Sequence, residues 1–220
     1  MFYKLLLAHL LADFVLQNTW MVRYKWRWPV LGLHAAVVLG CMLAVAGDDL
    51  PSWWPWLFGI TAAHGLIDWA KLCLDHRWRQ PPIVSFLADQ AAHLLIILLA
   101  ALWAAGPSGL LNVNDFQWGI ASLYLICTFG ASIALPLWLN PPSVMQRPYL
   151  SRLVTVLAAA AVLTCTWRGY YLAIPLAAGC FYALASQYCE KSCPLRTLRT
   201  EILAASTISV IAGWLMHAAG

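Results

Sequence analysis

Three pairs of side chains recur at one spacing: His9 with Asp13, His64 with Asp68, and Asp89 with His93, each an imidazole and a carboxylate four residues apart. In a helix that spacing puts both groups on one face, one turn from each other. His34 adds a further imidazole, and Gln17, Lys71 and Gln90 lie within a helical turn of a pair. Mixed imidazole and carboxylate donors suit Zn²⁺, Mn²⁺ or Fe. The candidate ligands His9, Asp13, His34, His64, Asp68, Asp89 and His93 outnumber the needs of one closed four-coordinate site. They fit one or two divalent transition-metal ions, with a residue spared for proton transfer. A single His–Asp pair is more simply read as a polar tie between helices. Three such pairs, matched in depth, argue for a functional cluster.

The elements that must position these groups are apolar. Of 220 residues, 62% are hydrophobic and 10% charged, with a mean hydropathy of +0.72. That leaves too little polar surface to coat a water-soluble globule and excludes disorder or a coiled coil. The chain reads as an integral membrane protein, all-α and polytopic. Apolar runs between polar or Pro-rich breaks give eight segments of roughly spanning length, 2–19, 29–47, 53–75, 83–104, 117–139, 152–167, 170–188 and 200–218. Asp48-Asp49 with Pro51, Pro81-Pro82, Gly106-Pro107 and Asn140-Pro141-Pro142 mark clear breaks. The run from Leu153 to Tyr188 is too long for one span, and Arg168-Gly169 is where it can turn.

Basic residues give the orientation. Arg23, Lys25, Arg27, Lys71, Arg77, Arg79, Arg147, Arg152, Lys191, Arg196 and Arg199 follow the odd-numbered segments, and of the 13 Lys and Arg only Lys4 and Arg168 fall on the other side. By the positive-inside rule both termini lie outside the cytoplasm. The net charge of +4 is therefore read as topology rather than as a nucleic-acid-binding surface. With this orientation, Asp13, His34, Asp68 and Asp89 lie about 10 Å in from the cytoplasmic helix ends, and His9, His64 and His93 about 6 Å deeper. The order His then Asp in the first and third segments reverses in the fourth, as opposite chain directions at one depth require. A central Asp costs about 2.5–3.5 kcal/mol to insert, so such residues are functional by default.

Other features read as structural. The Cys residues are small apolar fillers, although Cys189 and Cys193 at a four-residue offset make a metal clip conceivable. Trp20, Trp26, Trp28, Trp53, Trp54, Trp56 and Trp78 fall at segment ends, where indoles favour the headgroup zone. His9, Asp13 and Gln17 are foreign to a signal-peptide core, so the first segment belongs to the mature fold. His76 and His217 stand apart from the pairs.

The run from His9 through Asp13 to Gln17, His34, the run from His64 through Asp68 to Lys71, and Asp89-Gln90 with His93 together resemble an uncharacterised family of bacterial integral membrane proteins, a domain of unknown function. The resemblance covers roughly residues 5–105 and implies no activity. More distantly, polar His/Asp helices in a small bundle resemble membrane-bound metal-dependent hydrolases.

The reading that follows is one domain over 1–220 in the bacterial inner membrane. Residues 1–105 carry the site, and 106–220 pack around it or pair with a second copy through small residues such as Ala158–Ala161, Ala177–Gly179 and Gly213. The leading function is metal-dependent hydrolysis of a lipid-linked ester or phosphoester, with Asp13 and Asp89 catalytic and Gln17, Lys71 and Gln90 orienting substrate or ligands. A proton or divalent-metal transporter would use the same residues, but the outer halves of the first four segments offer almost nothing ionisable for a through path. A di-iron oxygenase and a scaffold subunit without chemistry rank behind these. The topology is directly testable: tags at both termini should be accessible from outside the cytoplasm, and labelling of both ends from the cytoplasm would reverse the orientation.

Overall fold

The computed structural model describes residues 1–78, 80–106, 115–139, 149–189 and 195–219, and among these the regular structure is entirely helical. Arg79, Pro107, Asn140, Pro141, Pro142, Arg147, Lys191 and Cys193, which entered the break, charge and metal-clip readings, lie outside the described residues. The helices are α1 (Phe2–Leu10), α2 (Thr19–Tyr24), α3 (Trp28–Ala46), α4 (Leu50–Arg77), α5 (Pro82–Ala105), α6 (Phe116–Leu125), α7 (Ala131–Leu139), α8 (Tyr149–Trp167), α9 (Ala173–Cys189) and α10 (Leu195–Ala219). Two stretches of π-helix extend them, Leu11–Leu16 after α1 and Ile126–Gly130 between α6 and α7. The helical stretches Trp28–Arg77, Pro82–Ala104, Phe116–Leu139 and Leu198–Ala218 are long and apolar enough to cross a membrane, and Arg152–Trp167 and Ala173–Leu184 are shorter apolar helices.

Local chemistry sets the boundaries. Pro29, Pro51 and Pro82 occupy first-turn positions, where a missing N–H costs nothing. Gly47, at φ +52°, ends α3 and turns the chain into α4. Gly169, at φ +77°, makes the turn expected at Arg168-Gly169. The first segment departs from its expected extent of 2–19. It stops at Leu16, Gln17 is extended, and the Asn18 side chain accepts from the Met21 N–H at 2.8 Å to start the separate helix α2.

Contacts divide the chain into two compact units, Met1–Ser122 and Leu123–Gly220. In the first, α1 packs on α3 and α5, α3 on α4, and α4 on α5, closing a ring. One end of the ring is filled by Leu5, Ala8, Val38, Met42, Leu57 and Ile97, all essentially buried. Trp53 joins this core at 8% exposure, while Trp20, Trp26, Trp28, Trp54 and Trp78 are exposed, as interfacial indoles would be. Lys4 pairs with Asp49 at 2.7 Å, and the Met1 amino group pairs with Asp115.

In the second unit α8 packs against α9 and α10, and α10 also packs on α7. Ala158 and Ala159 are fully buried there, and Glu201, which lies in the last expected segment, is 2% exposed. Arg152, expected in a loop, lies in the first turn of α8 and donates from Nε to Ser132 Oγ at 3.3 Å. The close approach of α8 and α10 depends on Gly213. A Cβ there would meet Thr166 Cβ at 2.7 Å and the Leu163 carbonyl at 2.9 Å, whereas one at Gly179 would meet nothing within 4 Å. Gly213→Ala should therefore destabilise the protein by about 1–3 kcal/mol, seen as a lower midpoint in detergent-based unfolding, while Gly179→Ala, inside α9 with open space around the new Cβ, should not lower the midpoint. Equal midpoints for the two variants would contradict this packing.

Candidate metal centre

The end of the first unit opposite its apolar core is where the paired residues meet. His9 comes from α1, Asp13 from the π-helical stretch, His34 from α3, His64 and Asp68 from α4, and Asp89, Gln90 and His93 from α5. All four imidazoles and all three carboxylates of the set are at most 8% exposed. The ring of helices thus turns its polar faces inward, leaving residues such as Leu66, Leu95 and Leu99 exposed on the outside. Asp13 owes its orientation partly to the π-helix, whose Gln17 N–H reaches back five residues to the Ala12 carbonyl at 2.9 Å. A π turn holds more residues than an α turn and rotates the side chains that follow it; such turns are common at functional sites.

The inner geometry is built on one edge. His34 Nε2 and His64 Nε2 lie 3.0 Å apart. Asp68 Oδ2 lies 3.4 Å from the first and 3.3 Å from the second, and Asp13 Oδ1 lies 3.2 and 3.6 Å from them. Both oxygens are buried and lack a well-angled hydrogen bond. The two nitrogens are hydrogen-bonded to each other, with the donor set by the tautomer, while the two oxygens lie close to both without a hydrogen bond to either and border the same space. A tetrahedral ion with ligand bonds of 2.0–2.1 Å separates its donors by about 3.3 Å. Each triangle, His34–His64–Asp68 and His34–His64–Asp13, has edges near that length.

Around this edge the set continues. Ligand atoms of His9, Asp13 and His64 lie within 4.8 Å of one another, as do those of His34, His64 and Asp68 and those of Asp68, Asp89 and His93. The His64 and His93 rings lie 4.0 Å apart between centroids. Gln90 ties the groups together: its Oε1 accepts from His9 Nε2 at 3.3 Å, while its Nε2 donates to Asp89 Oδ2 at 3.3 Å and Asp13 Oδ2 at 3.5 Å. His9 Nδ1, His34 Nδ1, Asp89 Oδ1 and His93 Nδ1 remain buried without a hydrogen-bond partner. Since buried polar atoms are nearly always paired, orphans gathered in one place indicate an additional occupant. These buried His and Asp groups can hold a metal ion.

Two lysines complete the site. Lys71, expected from sequence to orient substrate or ligands, places Nζ 3.1 Å from Asp89 Oδ2. Lys25, an orientation signal in the sequence, places Nζ 2.6 Å from Asp68 Oδ1, and its side chain is 11% exposed. The helix α2 and the turn at Arg27, whose N–H donates to the Tyr24 carbonyl, carry Lys25 back to the ring. The sequence signal that could have found it is charge balance, because three buried carboxylates need cations. Gln17 is not drawn into the cluster by any hydrogen bond, and its Nε2 is buried without a partner. His217 belongs to the second unit and donates from Nδ1 to the Trp167 carbonyl at 2.9 Å. His76 lies in the last turn of α4. The thiols of Cys41, Cys73, Cys127, Cys165 and Cys180 are free.

On the inner side of His64 and His93 the space is lined by Met42, Ile60, Ile96 and Ile97 and has no room for a water molecule. Of the two lysines, Lys71 is the more exposed, at 30% against 11% for Lys25.

No curated protein and no solved structure matches the chain. A family described as "Protein of unknown function (DUF3307)" matches residues 1–117, the stretch that contains the whole ring of helices and every member of the His/Asp cluster. On that match, which takes in more than half of its length, the chain belongs to this family.

Proposed function

We propose that the protein is a metal-dependent hydrolase of the bacterial inner membrane, acting on a lipid-linked ester or phosphoester near the cytoplasmic leaflet. The reading includes eight membrane passes with both termini outside the cytoplasm, membrane lipid as the partner, and contact with a second copy through the last four spans. The observation that carries it is the pair of unbonded carboxylate oxygens, Asp13 Oδ1 and Asp68 Oδ2, beside the His34–His64 edge. Zn²⁺, Mn²⁺ or Fe²⁺ suits such donors, and a bound divalent ion would supply Lewis acidity toward an ester or phosphoryl oxygen.

The protein's own residues divide the remaining work. Asp89 stands outside both donor triangles, and its Oδ2 is held by Lys71 and Gln90 while Oδ1 has no partner. It is the carboxylate spared for proton transfer. Asp13, on the same side, is oriented by Gln90. The dry apolar packing beyond His64 and His93 favours hydrolysis over transport, because a transporter needs a polar path to both faces.

Purified protein should hold about one transition-metal ion per chain at the His34–His64 edge. Asp13→Ala and Asp68→Ala should lower that content, whereas His217→Ala should not. Folded protein that takes up no Zn²⁺, Mn²⁺ or Fe²⁺ would contradict the metal site. Reconstituted with mixed bacterial lipids and followed by mass spectrometry, the metal-loaded protein should release a lipid product, and Asp89→Asn should lower its rate about 10²–10⁴-fold. Product that persists in Asp89→Asn would remove that residue from catalysis; no product with any metal, together with metal or proton flux in liposomes, would replace hydrolysis with transport.

A further inference from the structure

The lysines at the mouth narrow the class of substrate, on the basis of the metal centre proposed above. Lys25 holds Asp68 Oδ1 and Lys71 holds Asp89 Oδ2, and in each carboxylate the other oxygen has no hydrogen-bond partner. Each lysine therefore fixes its carboxylate in a one-sided pose, with the free oxygen turned toward the imidazoles. The two carboxylates belong to one group, with ligand atoms of Asp68, Asp89 and His93 within 4.8 Å. An ammonium has three donors, and among the described residues each of these has one protein acceptor. Both ammonium groups keep some exposure, 11% for Lys25 and 30% for Lys71, whereas the space beyond His64 and His93 is lined by apolar side chains.

Charge decides what they receive. Both donor triangles use the same two nitrogens, His34 Nε2 and His64 Nε2, and one nitrogen binds one ion, so this edge holds a single metal. Asp13, Asp68 and Asp89 bring three negative charges, and the two ammonium groups return two. One divalent ion with neutral imidazoles then leaves an excess of one positive charge in a site whose carboxylates are at most 8% exposed. Buried charge persists only where it is paired. A neutral carboxyl ester leaves the excess in place, a phosphate monoester dianion reverses it, and a phosphodiester monoanion cancels it. We infer that the group received here is a phosphodiester, held by Lys25 and Lys71 beside one divalent ion. The same linkage occurs in phospholipid headgroups and in water-soluble diesters.

The test uses the full chain in detergent, loaded with Mn²⁺ and assayed for bound manganese before any phosphorus signal is read. Phosphorus relaxation is then measured for dihexanoyl phosphatidylglycerol, a lipid diester, and for dimethyl phosphate, a soluble one. The expected result is one Mn²⁺ per chain and paramagnetic relaxation of a bound phosphodiester, with affinity about 10- to 100-fold weaker in Lys25→Gln and Lys71→Gln. Lys25→Arg, which keeps the charge, should retain binding, and manganese content reports that the variants are folded. Relaxation of the phosphatidylglycerol alone assigns a lipid source; equal relaxation of both probes assigns recognition to the linkage itself. Wild-type protein that carries Mn²⁺ but relaxes neither probe overturns the inference, as does binding that is unchanged in both Gln variants or equally displaced by neutral monohexanoin. A chain that takes up no Mn²⁺ removes the metal centre and this inference together, and it is distinguished at the first step.

Discussion

Three carboxylates and four imidazoles are buried together in one small volume, and each must be met by a polar partner or lose several kcal/mol relative to water. Helix α1 and its π-helical extension, α3, α4 and α5 each contribute at least one member, so none of them can be rotated or withdrawn without stranding the others. The polar faces point inward and leucines cover the outside, an arrangement stable only where the surroundings are apolar.

The ring is asymmetric along its axis. At one end Leu5, Val38, Met42, Leu57 and Ile97 interdigitate as an ordinary core. At the other, close polar contacts leave orphaned lone pairs. Tight packing at the first end holds the helices at fixed separations, and that rigidity keeps the His34–His64 edge at 3.0 Å with the carboxylate oxygens of Asp13 and Asp68 alongside. A preorganised donor set of this kind binds an ion without spending binding energy on rearrangement.

Much of this was legible in the sequence because two periodicities coincide. Apolar runs bounded by Pro, Gly and acidic pairs mark the long helices, and a four-residue spacing of His and Asp marks their inner faces. The reversal of order between His64-Asp68 and Asp89-His93 encodes antiparallel neighbours at one depth, and the structure brings these residues together. What sequence could not supply were features set by tertiary contact. The π-helix at Leu11–Leu16 has no compositional signature, and the restart of the chain at Asn18 is hidden within an apolar run. Lys25 resembled any cytoplasmic loop lysine until the fold returned it to Asp68. Trp53 followed the composition of an interfacial indole but found room in the core. In the second unit the small residues Ala158, Ala159 and Gly213 serve helix contacts within the chain itself.

X-ray absorption at the metal edge of the zinc-loaded protein reports whether the shared space beside His34 and His64 holds the ion. Zinc bound there should show a first shell of nitrogen and oxygen only, at about 2.0–2.1 Å, with the outer-shell scattering of two imidazoles that is lost when His34 and His64 are replaced together by Ala. A shell of sulfur at about 2.3 Å, or an oxygen shell without imidazole scattering, would contradict it.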